Sequence, residues 1–221
     1  MIEDIRKKIS QEEFDYQTLL VCLKNYARPR DKISSLINKG FIIRIKKGLY
    51  IFGEAYRRRP YSLEILANLI YGPSYISLDF ALAYYGMIPE RVEAMTSVTT
   101  GRSRSFSTPV GLFTYRHVSL KAFSIGMNRI EMGENLAFLM ATPEKALADK
   151  LNADQNAGIQ SRKGLSRYLT DDLRIDIYAL KTLDAESLAE MARRYGSRKI
   201  RLLSELARDE NHNDRKDFAH A

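Results

Sequence analysis

Arg28, Arg30, Lys32 and Lys39 surround a short run in which Ser34, Ser35 and Asn38 share one side, and Arg44, Lys46 and Lys47 follow within a few residues. Guanidinium and ammonium groups form charge-assisted hydrogen bonds with phosphate oxygens. Small Ser and Asn side chains reach base edges without holding a helix out of a groove. These types at this spacing offer recognition of a polyanionic duplex, with cations on its backbone and small polar groups against its bases.

Two elements must position them. Pro29 suits a first helical turn, where its missing N–H would have had no partner, and Gly40 suits the position just past a helix end. At about 100° per residue, Ile33, Leu36 and Ile37 fall on one face and Asp31, Ser34, Ser35 and Asn38 on the other. Ile43, Ile45, Leu49 and Ile51 then interleave with Arg44 and Tyr50 around Lys46-Lys47-Gly48, a strand, turn, strand pattern. An ordinary surface helix is the plain alternative for the first element, and lysines at a hairpin tip can serve simply to prevent aggregation. In immediate succession the two predict a winged helix-turn-helix, its helix in the groove and its hairpin along the backbone. Upstream, Ile2, Ile5 and Ile9 predict a helix through Lys8. A second helix is expected over 16–25, packing Leu19, Val21, Cys22 and Leu23 into a small core.

Charge supports the same division. The chain of 221 residues has a net charge of +8; residues 1–60 hold 14 Lys and Arg against 7 Asp and Glu, and the remainder 21 against 20. An excess confined to one segment points to a polyanionic partner for that segment. Cys22 is the sole cysteine, which rules out an intrachain disulfide and a cysteine metal cluster within one chain. Met1-Ile2-Glu3-Asp4 does not read as a secretory leader, and no apolar run is long enough to span a bilayer. A soluble, cytoplasmic protein with no membrane partner is expected.

Arg57-Arg58-Arg59-Pro60 marks a boundary, as a solvated linker or a phosphate contact. The expected division is 1–60 as a winged helix-turn-helix DNA-binding domain, 61–208 as an α+β domain and 209–221 as a polar, frayed tail. In the second domain, helices are expected over 63–70 and 77–86, the latter capped by Ser77. Short β-branched or aromatic segments at 95–100, 106–110, 112–118, 125–130 and 136–141 predict a small antiparallel sheet. Thr142 as cap with Pro143 at the first position predicts a helix to Leu151, and short helices follow at 165–168, 172–180, 185–195 and 197–208. The fold class is α+β: an N-terminal winged helix-turn-helix followed by a mixed domain with a small antiparallel sheet and several helices.

Several blocks carry a resemblance. Ser74-Tyr75-Ile76-Ser77-Leu78-Asp79-Phe80-Ala81-Leu82-Ala83-Tyr84-Tyr85-Gly86-Met87-Ile88-Pro89, Thr96-Ser97-Val98-Thr99-Thr100 with Arg102 to Phe106, Gly111-Leu112-Phe113-Thr114-Tyr115-Arg116, and above all Ala141-Thr142-Pro143-Glu144-Lys145-Ala146-Leu147-Ala148-Asp149-Lys150-Leu151 follow one another behind the basic hairpin. Over residues 19–151 this order resembles the AbiEi-type antitoxins of abortive-infection, type IV toxin and antitoxin pairs, which act in phage defence. The resemblance implies a transcriptional repressor that binds inverted repeats in the promoter of its own operon through an N-terminal domain. It also implies a C-terminal domain that counteracts a nucleotidyltransferase-like toxin, without a tight complex being required. DNA contact is carried onto the helix and hairpin residues named above, and two copies either dimerise or bind neighbouring half-sites cooperatively.

Other residues invite comparison with chemistry. Asp79 reads as half of a structural ion pair with Arg91 or Arg102. Arg102 and Arg104 either meet phosphate or an acidic protein surface, or stand solvated on a strand. Arg193, Arg194, Arg198, Lys199 and Arg201 form a second basic patch for RNA, further DNA or a partner's acidic face, or else a solvated helical surface. His117, His212 and His220 lack carboxylate or cysteine neighbours at ligand spacing, so no metal and no cofactor are expected. No Gly-rich phosphate loop, paired carboxylates at a metal site or nucleophile with histidine is present, which argues against an enzyme that reverses the toxin's modification. A stand-alone transcriptional regulator with a ligand- or partner-sensing C-terminal domain is the alternative.

Overall fold

A computed structural model describes residues 2–133, 136–154 and 158–218. The chain opens with helix α1 (Ile2–Lys8), strand β1 (Glu13–Asp15), helices α2 (Tyr16–Cys22) and α3 (Pro29–Asn38), and the hairpin β2 (Ile42–Lys46) and β3 (Leu49–Phe52). Ile2, Ile5, Leu19, Leu23, Ile33 and Leu36 close on Ile42, Tyr50 and Phe52 to form a first core. β1 is a strand that the sequence pattern did not predict, because three residues are too few for alternation to register. It pairs antiparallel with β3, giving a small antiparallel sheet in the order β1-β3-β2. α2 stops at Cys22, short of the expected end. Val21, about 200° round the helix from buried Leu19, points outward at 69% exposure instead of into the core, and Cys22 is half-buried.

Strand alternation sends neighbouring side chains to opposite faces. Ile42, Tyr50 and Phe52 face the first core, while Ile45, Leu49 and Ile51 belong to a second, larger one with Leu66 and Ile70. The hairpin is therefore covered on both faces along its strands.

The second region contains α4 (Leu63–Ile70), β4 (Ser74–Ile76), α5 (Leu78–Tyr84), β5 (Met95–Thr99), β6 (Arg104–Thr108), β7 (Gly111–His117), α6 (Leu120–Phe123), β8 (Met127–Gly133), β9 (Leu136–Ala141) and α7 (Pro143–Ala153). Its sheet is six-stranded, in the order β6-β7-β5-β4-β9-β8. The expected sheet in this region was small and antiparallel. The observed one is larger and mixed, with β4 parallel to β9 and β5 parallel to β7. The difference comes from β4: Ser-Tyr-Ile beside Gly72-Pro73 reads as a turn, yet it occupies the middle of the sheet, fully buried. The protein is thus α+β, with helices packed on sheets in both regions.

After α7 come α8 (Arg162–Arg167), a π-helical turn at Tyr168–Asp172, α9 (Ile177–Lys181), α10 (Ala185–Tyr195) and α11 (Arg198–Phe218). α11 runs past residue 209, where loss of periodicity predicted a frayed tail. Extending a formed helix adds one hydrogen bond per residue and needs no apolar face. Residues 219–221, with His220, lie outside the described residues. No helix among the described residues is long and apolar enough to cross a membrane.

The basic run at 57–59 is not a solvated linker. Glu12 accepts from the Arg58 N–H (3.1 Å), Glu13 accepts from the Ser62 N–H (2.6 Å) and pairs with Arg59 (3.1 Å), and Arg57 Nε donates to the Phe52 carbonyl (3.1 Å). Both carboxylates are buried, so these bonds fasten the two regions where their chain crosses over.

Candidate nucleic-acid interface

α3 begins at Pro29 and ends where Gly40 adopts a positive φ of 68°, its N–H bonded to the Ile37 carbonyl (2.9 Å). Ile33 and Leu36 anchor it in the first core. Its outer face carries Arg30, Asp31, Ser34 and Asn38, all exposed, with Arg28 and Lys39 exposed at its two ends. Lys32 and Ser35 are half-buried; Lys32 lies over the Tyr26 ring (5.2 Å), and Ser34 Oγ donates back to the Arg30 carbonyl (3.2 Å). Arg44 and Lys47 are exposed on the hairpin. Arg28, Arg30, Lys32, Lys39, Arg44 and Lys47 form no ion pair among the described residues. In the second region some cations are paired, as in Arg129 with Glu131, Lys150 with Asp79 and Arg174 with Glu90, and others, Arg102, Arg104 and Arg116 among them, form no ion pair among the described residues.

Lys46 departs from its expected role. Its ammonium donates to the Ile70 carbonyl at the C-terminal end of α4, and burial lowers its pKa. A cation placed on a helix's last carbonyls interacts favourably with the helix dipole, and it is no longer available to a phosphate. The hairpin tip thereby docks beside Tyr71, the next residue. The Arg104 guanidinium lies 5.6 Å from the centre of the Tyr71 ring, which packs tilted against Phe106 and edge-on against Tyr115. Arg102, Arg104 and Arg116 are exposed on and beside β6 and β7, and His117 Nδ1 lies 2.9 Å from the Gly101 carbonyl. Tyr71 thus lies between Lys46, held on the preceding carbonyl, and Arg104; Arg116, next to Tyr115 on β7, falls on the opposite face of the sheet from Arg104.

The densest polar cluster in the second region is sealed. Lys145 and Asp149, one turn apart on α7, pair at 3.5 Å with side chains at 0% exposure. Ser77 Oγ (2.7 Å) and Tyr75 OH (3.1 Å) donate to Asp149, Tyr195 OH bonds both Lys145 and Asp149, and Lys145 Nζ donates to the Ala122 carbonyl (2.6 Å). Burial raises the Asp149 carboxyl and lowers the Lys145 ammonium, and it lifts the Tyr75 and Tyr195 hydroxyls far above the usual phenol range. Ser77, expected to cap α5, turns inward to Asp149 instead. Asp79 pairs with Lys150 (2.8 Å), not with Arg91 or Arg102.

No protein-family model matches the chain, and no curated protein matches it.

The C-terminal basic residues divide. Arg193 and Arg194 share Glu190 (3.3 and 3.0 Å), and Arg201 lies 3.8 Å from Glu205. Arg198 forms no ion pair among the described residues. Lys199 turns inward and donates to the Asp154 carbonyl (2.7 Å), so it is not part of an outward-facing patch. Among the described residues no group of three His, Cys, Asp or Glu side chains could hold a metal ion.

Alternation and charge pattern located α3 and the hairpin but missed the Lys145–Asp149 cluster, because both residues read as the polar face of an ordinary helix. The available signal was the spacing of four, which places opposite charges on one side of α7.

Proposed function

We propose that this protein is a DNA-binding antitoxin: a winged helix-turn-helix repressor of its own operon whose second region counteracts a nucleotidyltransferase-like toxin. One observation carries the DNA reading, namely the cations without ion pairs among the described residues that surround the exposed polar face of α3. Counterion release from phosphates rewards unpaired lysines and arginines, whereas a cation already held by a carboxylate contributes little. In this reading α3 enters the major groove, with Ser34 and Asn38 toward base edges and Arg28, Arg30, Lys32 and Lys39 toward phosphates. Arg44 and Lys47 follow the backbone, and Arg104, over the Tyr71 ring, with Arg102 beside it in sequence, extends the positive surface. Lys46 is removed from the contacting set, and half-buried Ser35 becomes secondary to Ser34.

The antitoxin part rests on the resemblance of the blocks at 74–151. The protein is read as non-catalytic, since its most enzyme-like cluster, Lys145 with Asp149, Tyr75, Tyr195 and Ser77, has no opening to solvent at the lysine or the carboxylate.

Mobility shifts on the protein's own promoter at several salt concentrations test the DNA reading. Binding that weakens steeply with salt, and a changed sequence preference in Asn38→Ala, are expected. Failure to bind duplex DNA at low salt rejects it. Rescue of growth on co-expression with a nucleotidyltransferase-like toxin tests the antitoxin reading separately.

A further inference from the structure

A groove on the opposite part of the chain is independent of the DNA reading. Between α10 and α11 runs an open cleft of about 540 Å³, floored by Ala189 and Ala192 and rimmed by Arg193, Arg198, Arg201 and Arg208. We infer that this groove docks an acidic amphipathic helix of a partner protein.

Three features select that occupant. First, Arg198 and Arg208 lie about 15 Å apart along α11 at the usual helical rise, so the rim does not converge on a single phosphate and suits an extended ligand. Second, the alanine floor presents no bulky side chain, which lets a helix backbone approach closely, as in helix packing elsewhere. Third, the charge is patterned. Glu190 sits by Arg193 (3.3 Å), Glu205 by Arg201 (3.8 Å) and Glu186 by Arg208 (2.9 Å), while Arg198 is free of ion pairs among the described residues. A nucleic-acid strand carries uniform negative charge and would meet these carboxylates along its length. A helix with carboxylates every three or four residues can set them against the guanidiniums and leave its other positions opposite the glutamates.

The rim is also held in place. Tyr195 and Lys199 flank the turn that presents Arg198. Tyr195 is bonded into the Lys145–Asp149 cluster, and Lys199 is bonded to the carbonyl of Asp154 just beyond α7. Fixing both sides of the turn before binding reduces the ordering cost of complex formation.

The test uses the full chain and a synthetic helical peptide of about 20 residues, with glutamates on one face and alanine and leucine on the other. A scrambled peptide of the same composition and a short single-stranded RNA are run beside it, by fluorescence anisotropy at low salt. The patterned peptide is expected to bind about tenfold more tightly than the scrambled one, and Arg198→Glu with Arg201→Glu to weaken it about tenfold, equivalent to about 1.4 kcal/mol. The milder Arg198→Gln is expected to give a smaller loss, with duplex DNA binding and far-UV circular dichroism unchanged. Equal binding of the two peptides, unchanged affinity in both variants, or RNA binding more tightly than the patterned peptide through the same arginines each overturns the inference.

Discussion

Lys145 and Asp149 face each other across one turn of α7 at 3.5 Å, and neither side chain reaches water. Removing one partner leaves the other buried with its hydrogen bonds but without its counter-charge, and breaking a buried pair in this way typically costs about 3–5 kcal/mol. Lys145→Met is therefore expected to lower the free energy of unfolding by that order in urea titrations followed by circular dichroism. The double variant Lys145→Met with Asp149→Leu should cost less than the sum of the two single changes, because the second removes the group that the first orphaned. Additive losses would show that the pair is not an energetic unit.

Lys46 and Lys47 are adjacent in sequence and opposite in role. Lys47→Ala should weaken DNA binding across all sequences and reduce the slope of log affinity against log salt by about 1, as expected for one lost phosphate contact. Lys46→Met should leave that slope unchanged and instead lower stability, since it withdraws a donor from the Ile70 carbonyl. Equal slopes in both variants would place the hairpin tip away from the duplex.

The contrast between these lysines shows where sequence reading reaches its limit. The hairpin was legible because strands alternate and Gly48 supplies the turn, and α3 was legible because Ile33 and Leu36 mark its buried face. What alternation could not reveal is that the outer face of the hairpin, Ile45, Leu49 and Ile51, meets α4 rather than solvent. The same tertiary pairing hid β4, whose three residues become a central strand only because β5 and β9 arrive from distant parts of the chain. Lys199 resembled its exposed neighbours for a related reason: a carbonyl acceptor at Asp154 is invisible to charge counting.

Asp15 links acidity to the capping of α2. Its carboxylate caps α2 by accepting from the Thr18 N–H (2.8 Å), and that bond, with other local donors, holds its pKa below the ordinary 3.8. Above 3.8 both folded and unfolded chains are ionised and the cap contributes fully. As pH falls through that value the unfolded chain takes up its proton first, and the contribution is lost by the time pH passes the depressed folded value. Asp15→Ala should cost about 1 kcal/mol at neutral pH, with the difference from wild type vanishing in acid. Asp15→Asn should retain most of the cap without that pH dependence. A gap between wild type and the alanine variant that stays constant into strong acid would refute the assignment.

Gly53 and Gly40 meet where α3 is joined to the end of β3, and the contact is between backbones. Gly53 donates its N–H to the Phe41 carbonyl (2.9 Å), and a Cβ built on Gly53 would stand 1.9 Å from the Gly40 carbonyl oxygen. Gly53 has an ordinary φ of −64°, so alanine there suffers no conformational penalty of its own. The obstacle is steric, and a backbone oxygen cannot rotate away as a side chain does. Gly53→Ala is expected to cost about 1–3 kcal/mol, in the range of overpacked sites, and to weaken DNA binding because the exit of α3 must shift. Gly48→Ala provides the comparison: its φ of 89° is strained for alanine, yet nothing lies within 4 Å of its Cβ position. Its loss should appear in stability alone, at about 1 kcal/mol, with DNA affinity kept under conditions where the variant is folded. If both variants lose stability alike and neither changes DNA binding, the Gly40–Gly53 contact does not set the position of α3.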